Sequence, residues 1–337
     1  MPNVLPSMYW TIFVMGSYRI VNCGLHLLMQ GKSQLGLVLK STGSFYQVAD
    51  SNGNVLRCSV KGKLRLKGID TTNPVAVGDR VMFETEGDVG VISDILERKN
   101  YIIRKSVNLS KQAHILAANL DLAMVVATPV YPRTSTGFID RFLATAQAYG
   151  IPAVVVFNKS DLYDDEVSEY VQLLSAMYRH VGYDNFIISA LDADTLVPLK
   201  VALRGKTTLL SGHSGTGKST LVNHLLPGLD LKTSAISQQH QKGKHTTTFA
   251  EAHPLPDGGY IIDTPGIREF GIVDFEKHQV SHYFPEIFKE SAHCKFNNCL
   301  HENEKGCAVI QAVEESKIAL TRYSSYISIL NNEDVFK

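Results

Sequence analysis

The stretch Gly212-His-Ser-Gly-Thr-Gly-Lys218-Ser219-Thr220 constrains this chain most, because it stands between an apolar run, Thr207-Thr-Leu-Leu-Ser211, and a helical one, Leu221-Val-Asn-His-Leu-Leu226. A strand that feeds a GxxxxGKS loop and then a helix gathers backbone N–H groups around phosphates. Its glycines turn the amides inward, Lys218 reaches the terminal phosphate oxygens, and the Ser219 hydroxyl ligates magnesium at the helix N-terminus. Gly212, His213, Ser214, Gly215, Thr216, Gly217, Lys218, Ser219 and Thr220 are thus the expected phosphate-binding set. The fold such a loop needs is a mainly parallel sheet covered by helices. The neighbouring sequence supplies it: apolar runs at 120–127, 153–157, 186–189 and 207–210 alternate with helical stretches at 138–149 and 166–180.

The loop alone does not choose between adenine and guanine. The choice comes from Asn158-Lys159-Ser160-Asp161, which ends the apolar Val154-Val-Val-Phe157. A carboxylate at Asp161 accepts from the N1–H and N2–H₂ of guanine, whereas the N1 acceptor of adenine would repel it. Asn158 holds the loop and the base, and Lys159 belongs to the same motif. Ser189-Ala190-Leu191 closes the next strand and matches a second base-contacting loop.

Downstream, Tyr260-Ile-Ile262 leads to Asp263-Thr-Pro-Gly266, a DxxG element whose aspartate holds magnesium through water while the Gly266 N–H meets the γ-phosphate. Between the two lies Gly243-Lys-His245-Thr-Thr247-Thr248. Thr247 is taken to complete the magnesium shell, although Thr246 and Thr248 are equally placed by sequence. The residue after DxxG is Ile267, which cannot orient a water molecule. His245 is the expected replacement, since an imidazole can orient or accept from water near neutral pH. The competing reading makes it a solvent-facing loop residue. With Lys218 and Thr247, His245 forms the expected catalytic group. Turnover should be slow without a partner that orders this segment, because phosphoryl transfer depends on positioning and charge stabilisation.

These motifs occur with the base-reading pair ahead of the phosphate loop, the reverse of the usual order. Such a rotation is permissible, because domain termini lie close together at the surface and can be joined while new ends are opened. It also places DxxG near the end of the nucleotide domain, so movement there is expected to pass through residues 264–274 into the cysteine-bearing domain beyond.

Residues 36–104 read as five short strands, at 36–40, 45–48, 55–60, 80–84 and 90–92, separated by turn residues such as Asn52-Gly53 and Gly78-Asp79. Five strands in so short a span suit an OB-type barrel. Across the whole chain Lys plus Arg equals Asp plus Glu at 33 each, so overall charge neither indicates nor excludes a nucleic-acid partner. Residues 32–110, however, carry 12 basic against 8 acidic groups, and Lys61, Lys63, Arg65 and Lys67 recur at every second position. An extended strand there would show one basic face suited to RNA phosphates, the alternative being a merely solvated face.

Three of the five cysteines fall within fourteen residues: Cys294, Cys299 and Cys307, with His301 among them, spaced C-x4-C-x-H-x5-C. Three thiolates and one imidazole on short loops suit a closed tetrahedral zinc site, and a segment this small needs one to fold. Clustering of this kind points to metal in a reducing cytoplasm and away from disulfides. The tail at 312–330 reads as a helix.

Residues 8–15 are apolar but too few to cross a bilayer, and no secretory pattern surrounds them. Met29 stands just before the periodic sequence, so residues 1–30 are either a leader or the product of an upstream start codon. The expected division is 31–107 for the barrel, 108–274 for the nucleotide domain and 275–337 for the zinc domain.

Taken together, NKSD, SAL, GHSGTGKST, GKHTTT, DTPGIREFG and the cysteine–histidine cluster resemble the RsgA family of circularly permuted small-ribosomal-subunit biogenesis GTPases, over nearly everything after residue 30. The resemblance names the same four metal positions. It implies a cytoplasmic enzyme that hydrolyses GTP to GDP with Mg²⁺, carries one structural Zn²⁺, binds the small ribosomal subunit and its rRNA late in maturation, and leaves after hydrolysis. A monomer with no membrane association is expected. A second reading is a GTP-sensing RNA-binding module whose hydrolysis is incidental, which the loss of glutamine at Ile267 favours.

Overall fold

The computed structural model describes residues 33–42, 45–61, 74–87, 89–105, 113–229, 250–263 and 276–331. Its first unit is a barrel of β1 (Gln34–Ser41), β2 (Tyr46–Ala49), β3 (Val55–Val60), β4 (Arg80–Glu86) and β5 (Val89–Ile95). The strands run β1-β2-β3-β5-β4 and return to β1, with β3 and β5 parallel and every other pair antiparallel. This closed circuit is the OB-type barrel read from the turn spacing. Alternation explains the core: Val38, Tyr46, Val48, Cys58, Val81, Phe83 and Ile92 point inward, while Val55, Arg57 and Val89 face out. The Asn52-Gly53 turn is set by Asp50, whose Oδ1 accepts from the N–H of Asn52 and Asn54. Of the basic stripe, Lys61 lies directly after β3, and Lys63, Arg65 and Lys67 lie outside the described residues.

A hairpin of β6 (Tyr101–Lys105) and β7 (Ala113–Ala118) links the barrel to the next unit. Its contact with the barrel requires a glycine: Gly78 sits at φ 87°, and a Cβ there would lie 2.1 Å from the Ala118 carbonyl oxygen. Beside it, Arg98 donates to both carboxylate oxygens of the buried Asp79, at 2.6 and 2.5 Å. These strands escaped the sequence reading, since their apolar residues alternate over only five or six positions.

The second unit contains β8 (Leu122–Ala127), α1 (Thr136–Ala148), β9 (Ala153–Phe157), α2 (Asp165–Val181), β10 (Asp184–Ile187), α3 (Val197–Leu203), β11 (Thr207–Ser211), α4 (Lys218–Leu225), β12 (Glu251–Pro254) and β13 (Tyr260–Asp263). The sheet order is β10-β9-β8-β11-β13-β12, parallel except for β12. All six residues of β8 are buried, as a parallel strand covered on both faces should be. Helix α2 shows the local logic: Asp164 caps it by accepting from the Val167 N–H at 2.8 Å, and Gly182 at φ 106° ends it. Helix α1 is capped likewise by Ser135.

Reading the strands from the phosphate loop, β11, β12 and β13 and then back to β8, β9 and β10, restores the usual motif order. The chain is therefore circularly permuted in sequence while its sheet is not rearranged. The barrel joins this sheet at its edge, where Lys40 of β1 pairs with Glu251 of β12, and Lys40 Nζ lies 2.6 Å from the Glu251 carboxylate.

The last unit is helical: a 3₁₀ segment (Lys277–Tyr283), α5 (Pro285–Ser291), α6 (Ala308–Glu314) and α7 (Leu320–Leu330). The single helix expected at 312–330 is thus two. The break falls at Ser316, held at φ 58° while the Lys317 N–H returns to the Ala312 carbonyl, which turns Ile318 into the core. The unit packs on α1 through Arg322, which is fully buried, donates to Asp140 of α1 at 2.8 Å and grips Glu286 of α5 at 2.6 and 3.1 Å. The Tyr178 hydroxyl donates to the same Asp140 oxygen, at 2.9 Å. Among the described residues no helix is long and apolar enough to cross a membrane.

Candidate nucleotide site and metal centre

Three motifs separated by dozens of residues meet at Asn158. Its Nδ2 donates to the Thr216 carbonyl in the phosphate loop at 2.8 Å, and its Oδ1 accepts from the Ala190 N–H at 2.9 Å. The residue is 1 % exposed, so both bonds form away from water and hold the phosphate loop to the NKSD and Ser189-Ala-Leu loops. Asp161 is fixed by the Ser189 hydroxyl, which donates to its Oδ1 at 2.6 Å, and the Leu191 N–H closes on that same hydroxyl at 3.2 Å. The carboxylate is thereby held in one orientation.

The phosphate loop has the backbone its sequence requires. Gly217 sits at φ 89°, and a Cβ there would come within 2.4 Å of Asn158 Nδ2, so the tie from Asn158 to Thr216 depends on glycine. Lys218 Nζ donates to the carbonyls of Gly212 and His213, at 2.6 and 2.5 Å. Burial pushes its pKa down, and the negative charge of the Asp263 carboxylate opposes that shift. A half-desolvated ammonium of this kind regains most by meeting an anion. Thr216 closes the turn by donating to the His213 carbonyl at 2.9 Å, and the His213 ring packs on Phe138 of α1 with centroids 3.9 Å apart. Ser219 and Thr220 open α4, where the expected magnesium hydroxyl belongs. His245, Thr247, Gly266 and Ile267 lie outside the described residues.

One wall was not foreseen. The loop between β8 and α1 leans on the phosphate loop: a Cβ built on Gly215 would lie 3.3 Å from Pro132 Cδ. Lys159, itself at φ 69°, stretches from the base motif to donate to the Tyr131 carbonyl at 2.5 Å. Nothing in the periodicity of 128–135 marks it, because its role is set by tertiary contact.

The metal centre is local. Cys294, Cys299, His301 and Cys307 bring one ligand atom each to within 4.8 Å of one another. Cys294 Sγ lies 3.9 Å from Cys307 Sγ, close to the ~3.8 Å edge expected of a tetrahedron with zinc–sulfur bonds of about 2.3 Å. His301 Nδ1 stands 3.5 and 3.4 Å from those two sulfurs. Burial keeps the imidazole pKa low, so it stays a neutral donor. Burial, together with the neighbouring Cys307 and Cys294, pushes the Cys299 thiol up to about 12, so ionisation there requires a cation. The donor set fits zinc.

Supporting contacts hold the ligands in place, as metal sites require. The Glu304 carboxylate accepts from the N–H groups of Leu300, Glu302 and Asn303, and the hydroxyls of Tyr323 and Tyr326 donate to the carbonyls of His301 and Leu300 at 2.6 and 2.8 Å. His301 adopts φ 60° and is buried.

Comparison with known proteins agrees with this geometry. Residues 35–92 match the RsgA N-terminal domain, and residues 95–273 match the RsgA GTPase domain. The small ribosomal subunit biogenesis GTPase RsgA of Bacteroides fragilis (strain YCH46) is 56% identical over 301 residues, covering 89% of this chain and 97% of that protein. The namesake from Porphyromonas gingivalis is 52% identical over 305 residues, with 89% and 97% covered. Among solved structures, YjeQ from Thermotoga maritima superposes with a TM-score of 0.73 at 34% identity, covering 89% of this chain and 98% of its own. YloQ, described as a circularly permuted GTPase, gives a TM-score of 0.70 at 30% identity, with 92% and 97% covered. With its barrel, permuted sheet and metal cluster all accounted for, the chain belongs to the RsgA family of ribosomal subunit biogenesis GTPases.

Proposed function

We propose that this protein binds the small ribosomal subunit late in its maturation, hydrolyses GTP there, and leaves in the GDP state. The observation that carries the nucleotide half of this reading is the Asn158 bridge from Thr216 to Ala190, with Asp161 already oriented by Ser189. The subunit half rests on relatives named for small ribosomal subunit biogenesis and on the OB-type barrel, an architecture that binds oligonucleotides.

In this reading Asp161, Asn158, Lys159 and the Ser189-Ala190-Leu191 loop hold guanine, and residues 212–220 hold the phosphates. Ser219, Thr247 and Asp263 supply magnesium ligands, directly or through water, and Gly266 meets the γ-phosphate. Magnesium would neutralise charge that builds on the phosphate oxygens. His245 orients the attacking water, because Ile267 cannot. Hydrolysis is slow until the subunit orders residues 243–248. The cysteine–histidine cluster holds one structural zinc, and the barrel meets rRNA through residues 57–67. The working form is a cytoplasmic monomer divided at 31–107, 108–274 and 275–337.

The test is GTP turnover with and without purified small subunits, in wild type and His245→Ala. Strong stimulation lost in the variant, with GTP binding kept, is the expected result. No stimulation by subunits would favour the second reading, a GTP-sensing RNA-binding module. Undiminished stimulation in the variant would remove His245 from the mechanism.

A further inference from the structure

Tyr131 combines a left-handed backbone with an exposed aromatic side chain. It holds φ 51°, a left-handed backbone that costs a bulky aromatic residue about 1 kcal/mol or more, and its side chain is part of a residue 77 % exposed. The loop around it is nevertheless tightly closed. The Thr128 N–H donates to Thr134 Oγ1 at 3.1 Å, the Thr134 N–H donates to the Thr128 carbonyl at 2.8 Å, and the Thr128 hydroxyl donates to the Pro132 carbonyl. Those ties present residue 131 at the tip and keep it there. Strained residues held by over-determined surroundings cluster at ligand sites.

Position identifies the ligand part. On one side Pro132 rests on Gly215, within the phosphate loop. On the other, the Tyr131 carbonyl takes the ammonium of Lys159, within the base motif. The Tyr131-Pro132 pair therefore spans the loop that holds phosphates, through Pro132, and the loop that holds guanine, through the Tyr131 carbonyl, and the exposed Tyr131 side chain stands at that seam. In a guanosine nucleotide the group between those two ends is the ribose with its α-phosphate. An exposed ring at that point can cover the sugar at little entropic cost, since a tyrosine has only two side-chain torsions to fix.

We propose that Tyr131 is a nucleotide-contacting residue whose ring covers the ribose and α-phosphate of bound guanine nucleotide. This rests on the nucleotide site described under Proposed function, and it adds a wall that the sequence motifs do not contain. The backbone strain is accepted in the free protein and returned as contact with the ligand.

The test measures GDP binding by calorimetry, and melting of the nucleotide-free protein, for wild type and for Tyr131→Phe, Tyr131→Ala and Tyr131→Gly. Loss of an aromatic contact should weaken GDP binding about tenfold in the Ala and Gly variants, while Phe, which keeps the ring, stays near wild type. Glycine relieves the left-handed strain, so the Gly variant should melt no lower than wild type without nucleotide while binding GDP less well. A residue with a merely structural role would lose stability and affinity together, and that outcome overturns the assignment. Wild-type affinity in the Ala and Gly variants overturns it as well, leaving the nucleotide site standing. A wild-type protein that binds no GDP overturns both.

Discussion

The nucleotide pocket and the metal centre are built in opposite ways. The metal centre draws four ligands from fourteen consecutive residues and holds them with neighbours such as Glu304 and Tyr323. The pocket draws on residues from 131 to 263, and its parts meet through single side chains, chiefly Asn158 and Lys159. A local site can fail alone; a composite site should fail whenever the sheet that gathers its loops is disturbed.

The largest effect should come from the local site. Removing zinc with a chelator, or replacing Cys307 by Ser, deletes a contribution on the order of 10 kcal/mol to the folding of the last unit. Residues 276–331 should become sensitive to protease and lose their amide protection, while GDP affinity stays unchanged. Loss of GDP binding alongside zinc would show that the two sites are one cooperative unit, and the contrast would break.

Next is the joint between the units. Arg322→Met leaves Asp140 and Glu286 buried without their cation, at a cost of about 3–5 kcal/mol. The melting transition should drop and the last unit should release first in hydrogen exchange; Arg322→Met with Asp140→Asn and Glu286→Gln should recover much of the loss. A single variant that melts like wild type would mean that the triad does not carry the interface.

Asn158→Ala probes the composite pocket. It orphans the Thr216 carbonyl and the Ala190 N–H, each worth roughly 1–3 kcal/mol when buried, so GDP affinity should fall about 100-fold. Zinc content, read by metal analysis, should stay at one equivalent. Unchanged affinity would mean that the loops are positioned by the sheet alone. The smallest effect is a control: Gly182→Ala at φ 106° should cost about 1 kcal/mol of stability and disturb neither site.

Legibility in the sequence divides along the same line. Cys294, Cys299, His301 and Cys307 were legible because their spacing is the site. The phosphate loop was legible because strand, glycines, lysine and helix are contiguous. The barrel was legible from its short connections, Asn52-Gly53 between β2 and β3 and residues 87–88 between β4 and β5, although residues 61–79 separate β3 from β4. Tyr131 was not, because Lys159, and Gly215 beside Pro132, reach its loop only through the folded sheet. Arg322 was not either: one arginine in an amphipathic helix reads as a solvated charge until Asp140 and Glu286 are seen to enclose it. The break at Ser316 was hidden because its left-handed turn uses serine in place of the usual glycine. The route expected to carry switch movement to the metal unit lies in residues 264–274, which are outside the described ones; the described route is the Arg322 contact with α1.

The single rung between Lys40 and Glu251 has a consequence for how force would pass through the molecule. Glu251 opens β12, three residues after Thr248, and β12 turns directly into β13, which ends at Asp263. The hairpin that the barrel touches is thus bounded at its two outer ends by the two segments expected to sense the γ-phosphate. A load on the barrel reaches the central sheet by two routes, this hairpin at the sheet edge and the β6–β7 pair, which leads into β8. One of the two joints between barrel and sheet is thus the outer strand of the hairpin that ends at Asp263.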